Sequence, residues 1–139
     1  MHPTEKDIRE IAELLDCGER CFFHEPTGEI EHFPDPDEMY SDTEYFQETM
    51  DKVDADWSNY LRFEKMDSRQ AFQVMEDFAD SLADKNFQSQ LFNLLSKNKP
   101  FSKFKWAIDN SDYRQNWFDF KEQANIAWVR EQLRGYRLK

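Results

Sequence analysis

From position 67 to position 133 the apolar residues recur at intervals of three and four, which commits this half of the chain to α-helix. Ala71, Phe72, Met75, Phe78, Ala79 and Leu82 line one face, while Gln73, Glu76, Asp77 and Asp80 project from the other. Phe87, Leu91, Leu94 and Leu95 define a shorter helix that stops before Lys97. Pro100 suits the first turn of the next, where its missing N–H leaves no hydrogen bond unmade. That helix offers Phe101, Phe104 and Ile108 to a core. Asp112 and Gln115 stand at capping-box spacing. Beyond them Tyr113, Trp117, Phe120, Ala124 and Ala127 form one seam, flanked by Phe118, Ile126, Val129 and Leu133. Gly135 is expected to end this long last helix.

The first half reads differently. Thr4, with Asp7 three residues on, caps a helix whose Ile8, Ile11, Ala12 and Leu15 share a face, and Gly18 is placed to stop it. Two β-rich runs in residues 20–33 flank Glu25-Pro26-Thr27-Gly28, with proline and glycine at turn positions, so a β-hairpin is expected. A glycine bulge would shift its register by one residue, so the pairing stays open. An acidic, proline-broken connector follows. Ser41 and Glu44 then open a helix in which Phe46, Met50, Val53 and Trp57 continue at helical spacing and which ends near Asp54 to Asp56, and residues 60–66 read as a third strand. The fold class is α+β: an N-terminal helix, a hairpin plus third strand in a small sheet, then a helical half. A single domain over residues 1–139 is expected, with an acidic half at 1–67 and a helical half at 68–139.

Charge separates those halves further. Residues 1–67 carry 20 acids against 6 bases, and residues 68–139 carry 9 against 12. The acidic half disfavours polyphosphate, whereas the second half permits an anionic partner. No apolar run approaches the roughly 20 residues of a membrane span, and the first ten residues lack the apolar core of a secretory signal. A cytoplasmic protein without membrane attachment is the expectation.

Cys17, Cys21, His24 and His32 are the residues whose chemistry suits zinc. Their spacing is poor: no C-x-x-C occurs, and Cys21 and His24 face opposite sides of a strand. Packed thiols and surface histidines are the expected roles. Glu29 and Glu31 share a strand face, and Glu76, Asp77 and Asp80 cluster on a helix, as solvated carboxylates commonly do. No nucleophile elbow, dinucleotide fingerprint or phosphate loop occurs, so no cofactor is expected. The remaining candidate is basic. Lys97, Lys99, Lys103 and Lys105 interleave with Phe101, Phe104 and Trp106, and Arg114 and Lys121 follow. Such a run could track a nucleic-acid backbone while stacking bases. It equally describes a helix that buries its rings and lets its lysines reach water.

The pattern Pro100-Phe101-x-x-Phe104-Lys105, then Tyr113-Arg114-x-x-Trp117-Phe118-x-Phe120-Lys121, then Trp128, resembles the bacterial Uncharacterised Protein Family 0158. Phe22-Phe23 with Thr27-Gly28-Glu29 resembles that family's aromatic hairpin, and Asp67-Ser68-Arg69-x-x-Phe72-x-x-Met75-Glu76-x-Phe78 resembles its middle helix. The likeness is collinear over roughly residues 21–133. Glu64-Lys65-Met66 departs from it, because a proline is expected where strand three exits. The resemblance implies a shared fold and carries over no catalytic residue. Phe101, Phe104, Trp117 and Phe120 are expected to be structural. The function expected is a non-enzymatic protein-interaction module, binding a protein partner or itself. A nucleic-acid- or ribosome-associated protein using the lysine run is the first alternative, and an enzyme with an unidentified site the second.

Overall fold

A computed structural model describes residues 1–36 and 44–137. Helices α1 (Glu5–Asp16), α2 (Glu44–Ala55), α3 (Ser68–Ser81), α4 (Lys85–Leu95), α5 (Pro100–Asp109) and α6 (Arg114–Arg137) accompany strands β1 (Glu19–His24), β2 (Ile30–Pro34) and β3 (Tyr60–Phe63). The strands form one antiparallel sheet in the order β2-β1-β3. The chain divides into two compact units: Met1–Lys65 with Asn125–Lys139, and Met66–Ala124. Helix α6 contributes residues to both.

In the first unit α1 begins where the sequence places it. The Thr4 hydroxyl accepts from the Asp7 N–H at 3.1 Å and the Asp7 carboxylate accepts from the Thr4 N–H at 2.8 Å. Gly18 leaves the helix at φ +87°, a conformation that costs a residue with a Cβ. The hairpin register pairs Cys21 with His32 and Phe23 with Ile30. Gly28, at φ +77°, closes the loop by donating its N–H to the His24 carbonyl at 2.7 Å. Strand β1 is central and carries packed side chains on both faces, so three consecutive residues are buried. Cys21 and Phe23 join Ile8, Ile11, Leu15, Phe63, Val129 and Leu133. Phe22 points the other way, to Phe33, Val53 and Tyr60. Trp57 lies past the end of α2, in a 3-10 turn (Trp57–Asn59), where the Arg62 guanidinium sits 4.5 Å from its ring.

Strand β3 is shorter than its β-rich run, and just past its end Glu64 is held by α6. Trp128 Nε1 donates to the Glu64 carbonyl at 2.7 Å, and Gln132 both donates to that carbonyl and accepts from the Glu64 N–H. One turn later the Tyr136 hydroxyl accepts from the Arg62 N–H and donates to its carbonyl. This contact also corrects the expected helix end. Gly135 lies inside α6, because ordering Tyr136 against β3 outweighs the roughly 1 kcal/mol that glycine costs a helix interior. Ser41 and part of the acidic connector fall outside the described residues.

The second unit is helical throughout. Asp67 and Gln70 form a reciprocal capping box at the start of α3, and Gln88 donates to the carbonyls of Ala79 and Asp80 at its end. Asp84 caps α4 by accepting from the N–H groups of Asn86 and Phe87. Its other oxygen accepts from the Tyr113 hydroxyl at 2.9 Å, and the Tyr113 ring stacks on Phe87 at 5.0 Å. Phe78 is the hub of the core, meeting Trp117 at 5.3 Å, Phe120 at 5.4 Å and Phe104 at 6.4 Å, all edge-on. The expected box at Asp112 and Gln115 gives way to another arrangement. Ser111 accepts from the Tyr113 N–H, and the Gln115 amide turns forward to Asp119.

Candidate interaction surface

The α4–α5 hairpin stands apart chemically. Residues 85–108 hold five basic residues and no acid, in a chain with 29 acids overall. Asn86, Gln88, Gln90, Asn93 and Asn98 supply neutral amides along the same stretch. The turn between the helices places Lys99 at φ +52°, a left-handed conformation rare for a residue with a side chain. Pro100 follows at the first position of α5, as its fixed φ suits.

On α5 the buried face is Phe104, Ala107 and Ile108. Trp106 points to the opposite pole and is 64% exposed. Lys103 and Trp106, three residues apart on α5, share that outward face, and Lys99 precedes them in the left-handed turn. Lys103 donates to the Asn98 side-chain carbonyl at 2.7 Å, which fixes its stem along the turn. Lys105 lies about 160° away from Lys103, at about 100° of rotation per residue. It shares a flank with Phe101 and Asp109. Phe101 is therefore corrected: it is exposed, touching Phe72 edge-on at 6.4 Å instead of entering the core. Its ring sits at the core's border because Phe104 and Ile108 already fill the inward positions.

Arg114 and Lys121 occupy a different setting on α6. The Arg114 guanidinium is 3.5 Å from Asp109 and lies 5.0 Å from the ring of Phe118, which is itself exposed. Lys121 is half-buried three residues further on. The six basic candidates thus divide into an outward row on α5 with Trp106, a flank at Lys105 and Asp109, and a stripe on α6. Lys97 is exposed in the turn. Among the described residues no carboxylate partners Lys97, Lys99 or Lys105.

The cysteine and histidine candidates are dispersed in the first unit. Cys21 is fully buried and its thiol is directed at the Ile11 carbonyl; burial pushes its pKa up to about 12, with Glu19 and Glu10 adding to the effect. Cys17 departs from the expected burial: it is exposed, one residue past the last turn of α1. His24 departs from the expected surface role. Its Nε2 lies 2.7 Å from Asp56, its Nδ1 2.7 Å from the Thr27 hydroxyl, and its ring 4.7 Å from Tyr60. This contact, with Asn59 behind it, holds the Asp56 carboxyl below the usual carboxylate range. His32 faces Glu19 at 3.2 Å. Among the described residues no three His, Cys, Asp or Glu side chains converge as metal ligands. Glu29 and Glu31 do share a face, and Lys52 reaches both, at 3.6 and 2.6 Å.

Two features of this surface escape periodicity alone. The outward ring of Phe92 on α4 is exposed although it sits among leucines. The absence of acids between Asp84 and Asp109 is readable by a simple count and is the sequence signal that marks the hairpin. Among the described residues no helix is long and apolar enough to cross a membrane. No curated protein and no solved structure matches this chain. The sequence model of one family, described as the uncharacterised protein family UPF0158, matches residues 10–139. That span includes the sheet, the basic hairpin and the whole of the last helix, and the chain belongs to this family.

Proposed function

We propose that the chain is a non-enzymatic protein-interaction module whose working surface is the α4–α5 hairpin. The observation that carries this reading is Trp106, held at the outward pole of α5 with Lys103 one turn before it. An indole left in water by a helix whose opposite face is fully packed gives the fold little. Tryptophan is also among the residues most enriched where binding energy concentrates. The acid-free composition of the hairpin selects for an acidic partner surface. The test is capture from a native lysate by the immobilised chain. Wild type should return a reproducible protein partner, the chain itself included, and the Trp106→Ala variant should lose it. No reproducible partner, or a partner indifferent to that substitution, refutes the reading.

A second reading is favoured by the same acid-free stretch: single-stranded nucleic acid tracked by the lysines, with rings stacking on bases. It predicts RNA or DNA binding at about 0.05 M salt that weakens with added salt and with Lys99→Glu, Lys103→Glu and Lys105→Glu together. The division of Lys103 and Lys105 between two sides of α5 weighs against it, since one strand cannot follow both.

A further inference from the structure

We infer that the occupant of this surface is a second copy of the chain, docking through the outward face of its α2. The inference rests on the reading of α4–α5 as a docking surface and names its partner. Lys99, at the N-cap of α5, precedes Lys103 by four residues and Lys103 precedes Trp106 by three, a stretch about 10 Å long along the helix axis. On α2, Glu44, Glu48 and Asp51 stand at the same spacing, on the side of the helix opposite buried Val53. Lys99 and Lys103 therefore stand four residues apart, as Glu44 and Glu48 do, and Trp106 stands where the acidic row has Asp51. The aromatic anchors match as well: Trp106 ends the basic row, and Tyr45, 88% exposed, adjoins the acidic one.

Composition sharpens the complementarity. The described residues 44–56 carry Glu44, Glu48, Asp51, Asp54 and Asp56 against one base, Lys52, whose ammonium is held by Glu31 and Glu29. Residues 85–108 carry bases alone. A net charge of −11 repels two copies at long range, but screening beyond about 8 Å at physiological salt leaves contact-range pairing in place. Each contact uses a different face on each copy, so two copies pair reciprocally about a two-fold axis or add head to tail into a ring or filament.

Sedimentation velocity on the purified chain tests this, at about 0.05 M and about 0.5 M salt. Association should grow with concentration at low salt and disperse at high salt. The variants Lys99→Glu, Lys103→Glu and Glu48→Lys, Asp51→Lys should each be monomeric alone while keeping the wild-type circular dichroism spectrum. Mixed in equal amounts they should associate again, since the intact acidic face of one meets the intact basic face of the other. Misfolding cannot produce that rescue. A monomer under every condition, or association that survives both reversals, overturns the inference. If the chain is monomeric while Trp106-dependent capture of a different protein persists, the second copy falls and the docking surface stands. Oligonucleotide binding that replaces self-association, and is lost with Lys99→Glu and Lys103→Glu, overturns both.

Discussion

Trp106 and Trp117 lie eleven residues apart, and the fold assigns them opposite energetic roles. Trp117 meets Phe104 at 4.9 Å and Phe78 at 5.3 Å, edge-on in the core of the second unit. Truncating it to alanine removes apolar burial, leaves a cavity between two rings and breaks two aromatic contacts; about 3 kcal/mol of stability should go. Trp106 loses little, because its ring already sits in water. The hydrogen bond at that position is made by its backbone carbonyl, which accepts from Asn110 and survives the substitution. Alanine also favours helix more than tryptophan does, so Trp106→Ala should change stability by no more than about 0.5 kcal/mol. Binding should show the reverse order. A tryptophan at the centre of a docking surface is worth about 2 kcal/mol, roughly thirtyfold in affinity. Urea unfolding followed by circular dichroism, which does not depend on the indoles, separates the cases. If Trp106→Ala is as destabilising as Trp117→Ala, the indole packs against the fold. The reasoning that makes α5 a binding face then fails.

Four further outcomes follow from the geometry. With a thiol reagent at neutral pH, the native chain should expose one reactive cysteine, Cys17, and denaturant should release Cys21, whose buried thiol has its pKa pushed up to about 12. Gly28→Ala should destabilise by about 1 kcal/mol, since φ is +77° and the new Cβ would meet Met1 Sδ at 2.9 Å. Gly135→Ala, inside α6 with nothing within 4 Å, should instead stabilise by about 1 kcal/mol; both are read from urea midpoints. Asp84 is held below the usual carboxylate range by the Phe87 N–H first and then the Tyr113 hydroxyl, which in turn is raised. Its stabilising effect is complete above the unfolded value of about 4 and is lost as pH falls through the lower folded value. Tyr113 contributes below about pH 10 and loses that contribution as pH rises through its raised folded value. Asp84→Asn should lower the melting temperature at pH 7 and flatten its decline in acid.

Local chemistry made most of the fold readable. Thr4 with Asp7, the Pro26 to Gly28 turn and the faces of α3 and α4 each depend on neighbours a few residues away, and each appears in the structure. The misreadings share a different cause. Gly135 has a helix-stop signature, but a bond from Tyr136 to a strand 74 positions earlier in the chain overrides it. Phe101 has core spacing relative to Phe104, yet spacing says which face a ring shares and not how far the core extends along it. His24 finds Asp56 across 32 residues, a pairing that no local pattern encodes. The candidate surface was legible as a basic aromatic run, whereas its division among separate faces required the helix ends and the turn at Lys99.

Trp128, Gln132 and Tyr136 are spaced one helical turn apart, and together they occupy the backbone groups of Arg62 and Glu64 along the outer side of β3. A helix here does the work of a fourth strand, with side chains in place of main-chain donors and acceptors. An open strand of this kind is a template for pairing with another chain. A product shortened before Trp128 would therefore lose more than a helix end: it would bare a sticky edge flanked by apolar residues. Such fragments should gather into insoluble β-rich deposits, and the last turns of α6 act as the guard that keeps the sheet from growing.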